Sequence, residues 1–235
     1  MKRVAVLASG SGTNLQAILD HLASRGKAAA ARVVLVASDW ADARALTRAS
    51  EAGVPTAVLD REGRTAGLLP LLARHEVDLI VLAGYLRLVP RNVTTAWRGR
   101  ILNVHPALLP AFGGHGMYGM RVHESVLARG ARVSGVTVHF VDERFDEGPI
   151  IAQWPVRVFP DDTPAQLAAR VLEAEHALLP HVVEAVAAGA ISLTDQGRVA
   201  FATSGSLMPH FAPAADLRAA VENVTVAWPA SDLRP

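Results

Sequence analysis

Among the 235 residues there is no cysteine, and only Lys2 and Lys27 are lysine. Without cysteine there can be no disulfide framework, no thiol nucleophile and no thiolate zinc or iron–sulfur site. The 23 basic side chains, nearly all arginine, are balanced by 22 acidic ones. A net charge of +1 argues against bulk electrostatic binding to nucleic acid or membrane. Long hydrophobic runs are also lacking. Residues 28–31 and 33–37 are separated by Arg32 and fall well short of the roughly 20 residues that a membrane helix needs. Met1-Lys2-Arg3 runs directly into Val4–Leu7 and a glycine turn, with neither the longer apolar run nor the cleavage site of a signal peptide. The expectation is a soluble cytoplasmic protein with no nucleic-acid or membrane partner. The nine histidines show no H-x-x-x-H or comparable ligand spacing, so no metal site is expected.

What is present is a regular alternation. Apolar runs at 3–8, 32–37, 79–83 and 101–104 predict buried strands, with a short strand over 56–59. Between them, 14–24, 42–52, 65–75 and 90–97 carry helical spacing. Strands apolar throughout, alternating with helices, predict a doubly wound, mostly parallel α/β sheet covered on both faces. The second half differs. Residues 133–141 and 150–158 predict two longer strands around a charged turn, an antiparallel extension. A long helix follows, with Thr163 as N-cap, Pro164 at the first helical position and Gln166 completing a capping box. It can run to Ala188, bent at Pro180 and ended by Gly189. One domain is expected over 1–195, with halves at 1–100 and 101–195. Residues 196–235 form a tail with scattered apolar anchors (Phe201, Met208, Phe211, Trp228) and one helical turn at 214–221.

Three segments carry candidate chemistry. The first, Ser9-Gly10-Ser11-Gly12-Thr13-Asn14, joins a strand to a helix. Its glycines let the backbone approach a ligand, and a helix N-terminus favours an anion. Asp39 would satisfy the acidic position of a dinucleotide fingerprint, but Leu15 stands where that fingerprint has its third glycine. Ser11, Thr13 and Asn14 better suit a terminal phosphate. The second segment is Asn103-Val104-His105-Pro106, where residues two apart on a strand project together. An amide beside an imidazole suits a developing oxyanion. The third is the turn 142–149, where Asp142, Glu143, Asp146 and Glu147 all qualify as partners for His105 and spacing does not choose among them.

Taken together, SGSGTNLQAI at 9–18, VLAGYLRLV at 81–89, ILNVHPALLP at 101–110 and VTVHFVDERFDEGPIIAQ at 136–153 resemble the folate-dependent glycinamide ribonucleotide formyltransferases. The resemblance runs from residue 1 to about 195. It implies a Rossmann-like formyltransferase fold. It also implies a reaction: the amine of glycinamide ribonucleotide attacks the formyl carbon of 10-formyltetrahydrofolate, and tetrahydrofolate leaves from a tetrahedral intermediate. By that resemblance Gly12, Thr13 and Asn14 hold the phosphate, and Glu175 contacts the ribonucleotide. Asn103 and His105 stabilise the oxyanion. Asp146 occupies the aspartate of an L-D-x-G-P pattern, holds His105 protonated and helps remove the amine proton, while His139 and Thr137 support the site. Leu86, Arg87, Leu88 and Val89 on one side, and Val141, Asp142 and Phe145 on the other, form the folate slot. No metal is implied, and a homodimer is compatible.

The chain departs from the family at 111–119, where AFGGHGMYG resembles a glycine-rich variant and His115 replaces an expected lysine. No role is carried to that histidine, and the loop is expected to act at most as a mobile lid. The tail is longer than the family needs. Formyltetrahydrofolate deformylase has a similar core but an added N-terminal domain. Methionyl-tRNA formyltransferase adds a C-terminal RNA-binding domain, for which this tail is too short and too weakly basic. A nucleotide-binding regulatory module would leave Asn103, His105 and Asp146 without a task.

Overall fold

The structure, a computed structural model, describes residues 1–202. Five parallel strands are β1 (Lys2–Leu7), β2 (Ala31–Ser38), β3 (Thr56–Val58), β4 (Leu79–Leu82) and β5 (Ile101–His105). Next come β6 (Val133–Phe140), antiparallel to β5, and β7 (Ile150–Arg157), antiparallel to β6. The seven strands form one sheet in the order β3-β2-β1-β4-β5-β6-β7. The helices are α1 (Thr13–Arg25), α2 (Arg44–Glu51), α3 (Leu68–Arg74), α4 (Arg91–Ala96), α5 (Met120–Ala128) and α6 (Pro164–Ala187). The expected doubly wound sheet with its antiparallel extension is what forms.

Burial explains the unbroken apolar strands. Val4, Ala5, Val6 and Leu7 are wholly buried because helices cover both faces of the sheet. On one side Leu35, Leu68, Leu72, Ile80, Val93 and Ile101 pack together. β1 lies between β2 and β4, so the strand order reverses beside it. The loops leaving β1 and β4 therefore diverge and open a crevice at the strand ends. α6 starts as expected. The Thr163 hydroxyl accepts from the Gln166 N–H, and the Gln166 side chain accepts from the Thr163 N–H. The helix continues unbroken through Pro180 to Ala187 and packs on α1 and β6.

Three elements lack a sequence expectation. α5 follows the glycine-rich loop and is only nine residues long, with Val122 and Val126 as its buried apolar anchors. That is too short a period to stand out. A separate antiparallel pair, β8 (Ile191–Leu193) and β9 (Val199–Phe201), carries regular structure past residue 195. The helical turn expected at 214–221 and the anchors Met208, Phe211 and Trp228 lie outside the described residues.

Candidate active site

A pocket of about 900 Å³ fills the crevice at the strand ends. It is bounded by the loop after β1, the segment after β4, the end of β5, the glycine-rich loop, the β6–β7 turn and one face of α6.

The loop after β1 is shaped by Gly12. Its φ is +71°, and a Cβ there would stand 2.6 Å from the Ala45 Cα of α2. Only glycine permits both the left-handed turn and this approach. Thr13 and Asn14 then open α1, whose first turn, with N–H groups that lack intrahelical partners, lines the pocket. Asn14 is buried and its amide donates to Glu175 on α6, while its own carbonyl oxygen has no partner. Burial pushes the Glu175 carboxyl up to about 7, and the Asn14 hydrogen bond offsets this only in part. Gly12, Thr13, Asn14 and Glu175 thus meet at one end of the pocket.

At the other end the antiparallel register does the work. β5 and β6 pair Asn103 with His139 and His105 with Thr137. The His139 Nδ1–H donates to the Phe140 carbonyl at 2.8 Å, so its Nε2 is left to accept from the Asn103 amide at 3.0 Å. That amide also donates to Asp146 Oδ1 at 3.2 Å. The second Asp146 oxygen accepts from the Gly114 N–H at 2.9 Å and lies 3.4 Å from His105 Nδ1. Asp146 itself sits at φ +57°, a conformation costly for a side-chain-bearing residue. Gly148 makes the turn possible, because a Cβ there would fall 1.8 Å from the Phe140 carbonyl oxygen.

His105 is 3 % exposed and lies between two acceptors, the Phe112 carbonyl at 2.8 Å from Nε2 and Asp146 at Nδ1. Burial pulls its pKa down, and this outweighs the upward pull of Asp146 and Phe112. The Asp146 charge does favour the protonated ring, as expected of it, but desolvation opposes it and is the larger effect. Asp146 moves the other way. Burial alone would raise it, but the hydrogen bonds and nearby imidazoles hold it below the usual carboxylate range.

Leu86, Arg87, Leu88 and Val89 line the pocket, as do Val141 and Phe145. Two of the expected residues do not. The Asp142 carboxylate turns back to accept the Arg144 N–H, and it is Arg144 that faces the pocket. Thr137 is wholly buried; its hydroxyl donates to the Ala107 carbonyl and accepts the Leu109 N–H. It braces the turn after β5, away from the pocket wall. His115 lies on the wall with its ring 5.6 Å from that of Phe145.

Sequence reasoning missed Trp40, Tyr118 and His123 as wall residues. The first two are exposed aromatics at the rim. His123 is buried on α5 with an unpartnered Nδ1, and burial lowers its pKa. A solvent-facing aromatic beside a strand end was an available signal for Trp40; nothing local marked His123. Among the described residues no three His, Cys, Asp or Glu side chains gather in a way that could hold a metal ion. Among the same residues no helix is long and apolar enough to cross a membrane.

The fold and this pocket define a doubly wound α/β enzyme with an amide, an imidazole and a carboxylate converging at the strand ends. A family model described as formyl transferase matches residues 2–183, and the chain belongs to that family. Within it, this is an enzyme of the phosphoribosylglycinamide formyltransferase kind. The chloroplastic phosphoribosylglycinamide formyltransferase of Arabidopsis thaliana is 43% identical over 203 residues, covering 83% of this chain and 69% of the plant protein. A human relative, the trifunctional purine biosynthetic protein adenosine-3, is 38% identical over 203 residues, or 84% of this chain but 19% of that much longer one. Among solved structures, glycinamide ribonucleotide transformylase 1 from Symbiobacterium toebii superposes with a TM-score of 0.77 at 43% identity, covering 86% of this chain and 94% of the other. A formyltetrahydrofolate deformylase from Pseudomonas syringae has a TM-score of 0.75 at 24% identity, covering 85% of this chain and 65% of the other. That last likeness speaks to the fold alone.

Proposed function

We propose that the chain transfers the formyl group of 10-formyltetrahydrofolate to the amine of glycinamide ribonucleotide. The observation that carries this is one continuous pocket. It runs from the Gly12–Asn14 loop, past Asn103, His105 and Asp146, to the apolar wall of Leu86, Leu88, Val89, Val141 and Phe145. An anion site and a flat apolar slot on either side of a proton-transfer cluster suit a phosphorylated amine and a folate.

The α1 N-terminus with Gly12, Thr13 and Asn14 holds the ribonucleotide phosphate. Asn14 donates there, and Glu175 accepts from the sugar hydroxyls. The amine nitrogen attacks the formyl carbon, the carbonyl oxygen gains charge, and the bond from that carbon to the folate nitrogen breaks. The Asn103 N–H that otherwise goes to Asp146 turns to the oxygen, while the other stays on His139. His105 enters neutral, with Nδ1 facing Asp146. The proton lost by the amine completes an imidazolium between two acceptors, Asp146 and the Phe112 carbonyl. His105 then gives that proton to the departing folate nitrogen and returns to its neutral form. His139 keeps Asn103 aimed. Both substrates are small molecules, and the proposed setting is the cytoplasm, with no call on nucleic acid, membrane or metal; a homodimer fits this reading equally well.

The test is turnover of 10-formyltetrahydrofolate with and without glycinamide ribonucleotide. Formation of tetrahydrofolate should depend on the ribonucleotide. Equal rates in its absence would make the chain a hydrolase, as the deformylase neighbour's name describes.

A further inference from the structure

Asp39, at the end of β2, is used by none of the chemistry above, yet its side chain is 4 % exposed. A carboxylate so enclosed is costly unless both oxygens are satisfied. Both are. Oδ1 accepts from the Ser9 hydroxyl at 2.5 Å, and Oδ2 pairs with Arg87 Nε at 2.7 Å. The Ser9 oxygen in turn accepts the Leu86 N–H at 3.0 Å. Three strand ends are thereby tied into one ring: Ser9 after β1, Asp39 after β2, and Leu86 with Arg87 after β4.

The ring acts where the sheet does not. Backbone bonds to Leu7 and Ser9 hold Ala83 and Gly84, but residues 85–90 beyond them are irregular and no strand ladder fixes them. Tyr85 and Val89 are anchored in the core, while Leu86 and Leu88 between them are about half exposed at the pocket wall. The ring grips the stretch between those two anchors. Hydrogen bonding and the Arg87 charge hold Asp39 below the usual carboxylate range despite burial, which alone would raise it, so the carboxylate stays ionised for this pairing.

We propose that Asp39 and Ser9 are positioning residues for the folate wall: through Arg87 and the Leu86 N–H they set the path of residues 86–88, and with it affinity for the folate co-substrate. This rests on the reading of that wall as the folate slot. The ring touches neither the Gly12–Asn14 loop's helix N–H groups nor the Asn103–His105–Asp146 cluster. Its loss should therefore separate the two substrates.

The experiment is steady-state kinetics of D39A, D39N, S9A, R87Q and D39N/R87Q, with thermal midpoints measured alongside. D39A should raise the KM for 10-formyltetrahydrofolate about tenfold, the scale of one lost charge-assisted hydrogen bond. Its kcat and ribonucleotide KM should stay within about twofold, since neither contact is touched. D39N keeps an acceptor for Ser9 but opposes Arg87 with an amide, so its effect should be smaller than that of D39A. D39N/R87Q should be no worse than R87Q alone, because both break the same arm. A brace for stability alone would lower the thermal midpoint and leave the folate KM unchanged; that result, or an equal rise in both KM values, overturns the proposal. If D39A does not fold, D39N and the double variant decide on the same criteria. A wild-type enzyme unable to use 10-formyltetrahydrofolate would instead overturn the functional reading on which this rests.

Discussion

The two ends of the pocket are built by opposite means. The proposed phosphate end is local: five consecutive residues, from Gly10 to Asn14, make the turn and open α1, and one distant side chain, Glu175, completes it. The proposed proton-transfer end is assembled at long range. Asn103 and His105 come from β5, His139 from β6 and Asp146 from a turn some forty residues on, and no two of the four are sequence neighbours. The local end needs a permissive backbone, which one glycine supplies. The long-range end needs a strand register and a strained turn to hold groups within hydrogen-bonding distance. The first should therefore fail gently when a side chain is removed, and the second abruptly.

The sharpest way to break this contrast is Asp146→Asn. A neutral amide lacks the negative charge that stabilises the proton His105 gains, so kcat should fall by about a thousandfold or more. Binding of the ribonucleotide, measured calorimetrically, should be nearly intact; near-normal turnover would remove Asp146 from the mechanism. Gly148→Ala comes next. Its Cβ would enter the Phe140 carbonyl, 1.8 Å away, so the turn must shift and take Asp146 with it. A loss of about 2–4 kcal/mol in denaturant unfolding is expected, with turnover falling in parallel. At the local end, replacing both Thr13 and Asn14 with alanine should raise the ribonucleotide KM about tenfold and leave the folate KM alone, because the α1 N–H groups remain. An equal effect on both substrates would argue against a phosphate loop.

The smallest effect concerns the one long-range member of the phosphate end. The Glu175 carboxyl is raised from 4.5 to about 7 by burial. The folded state therefore binds more protons than the unfolded one between those values, and stability falls as pH rises through that window. Glu175→Gln should flatten this slope by an amount on the order of 1 kcal/mol, seen as a converging pair of thermal midpoints at acid pH and a more stable variant above neutrality. Parallel curves for the two proteins would mean that Glu175 titrates normally.

Legibility in the sequence followed the same division. The turn at 9–14, the buried strands and the α6 capping box are set by neighbours in the chain, and all could be read in advance. α5 could not, since nine residues behind a glycine-rich loop give too few turns for a period to emerge. Asp142 was expected in the loop beside the folate slot, through backbone groups, and where its carboxylate goes was not legible: it closes its own turn with the Arg144 N–H. A side chain two residues from a backbone donor often finds that donor first.

By itself the sequence determined the alternating architecture, the anion-suited loop and the pairing of Asn103 with His105 on one face of a strand, since these follow from backbone periodicity and glycine stereochemistry. Spacing left the four carboxylates of 142–147 open, the family resemblance singled out Asp146, and the tertiary structure supplies the physical separation between them. Glu143 pairs with Arg91, Glu147 with Arg144, and Asp142 with its own backbone, which leaves Asp146 alone turned inward to Asn103, His105 and Gly114. It also decided that burial pulls the His105 pKa down and that Asp39 meets Ser9 and Arg87, because desolvation and a partner across the sheet depend on which strands lie side by side.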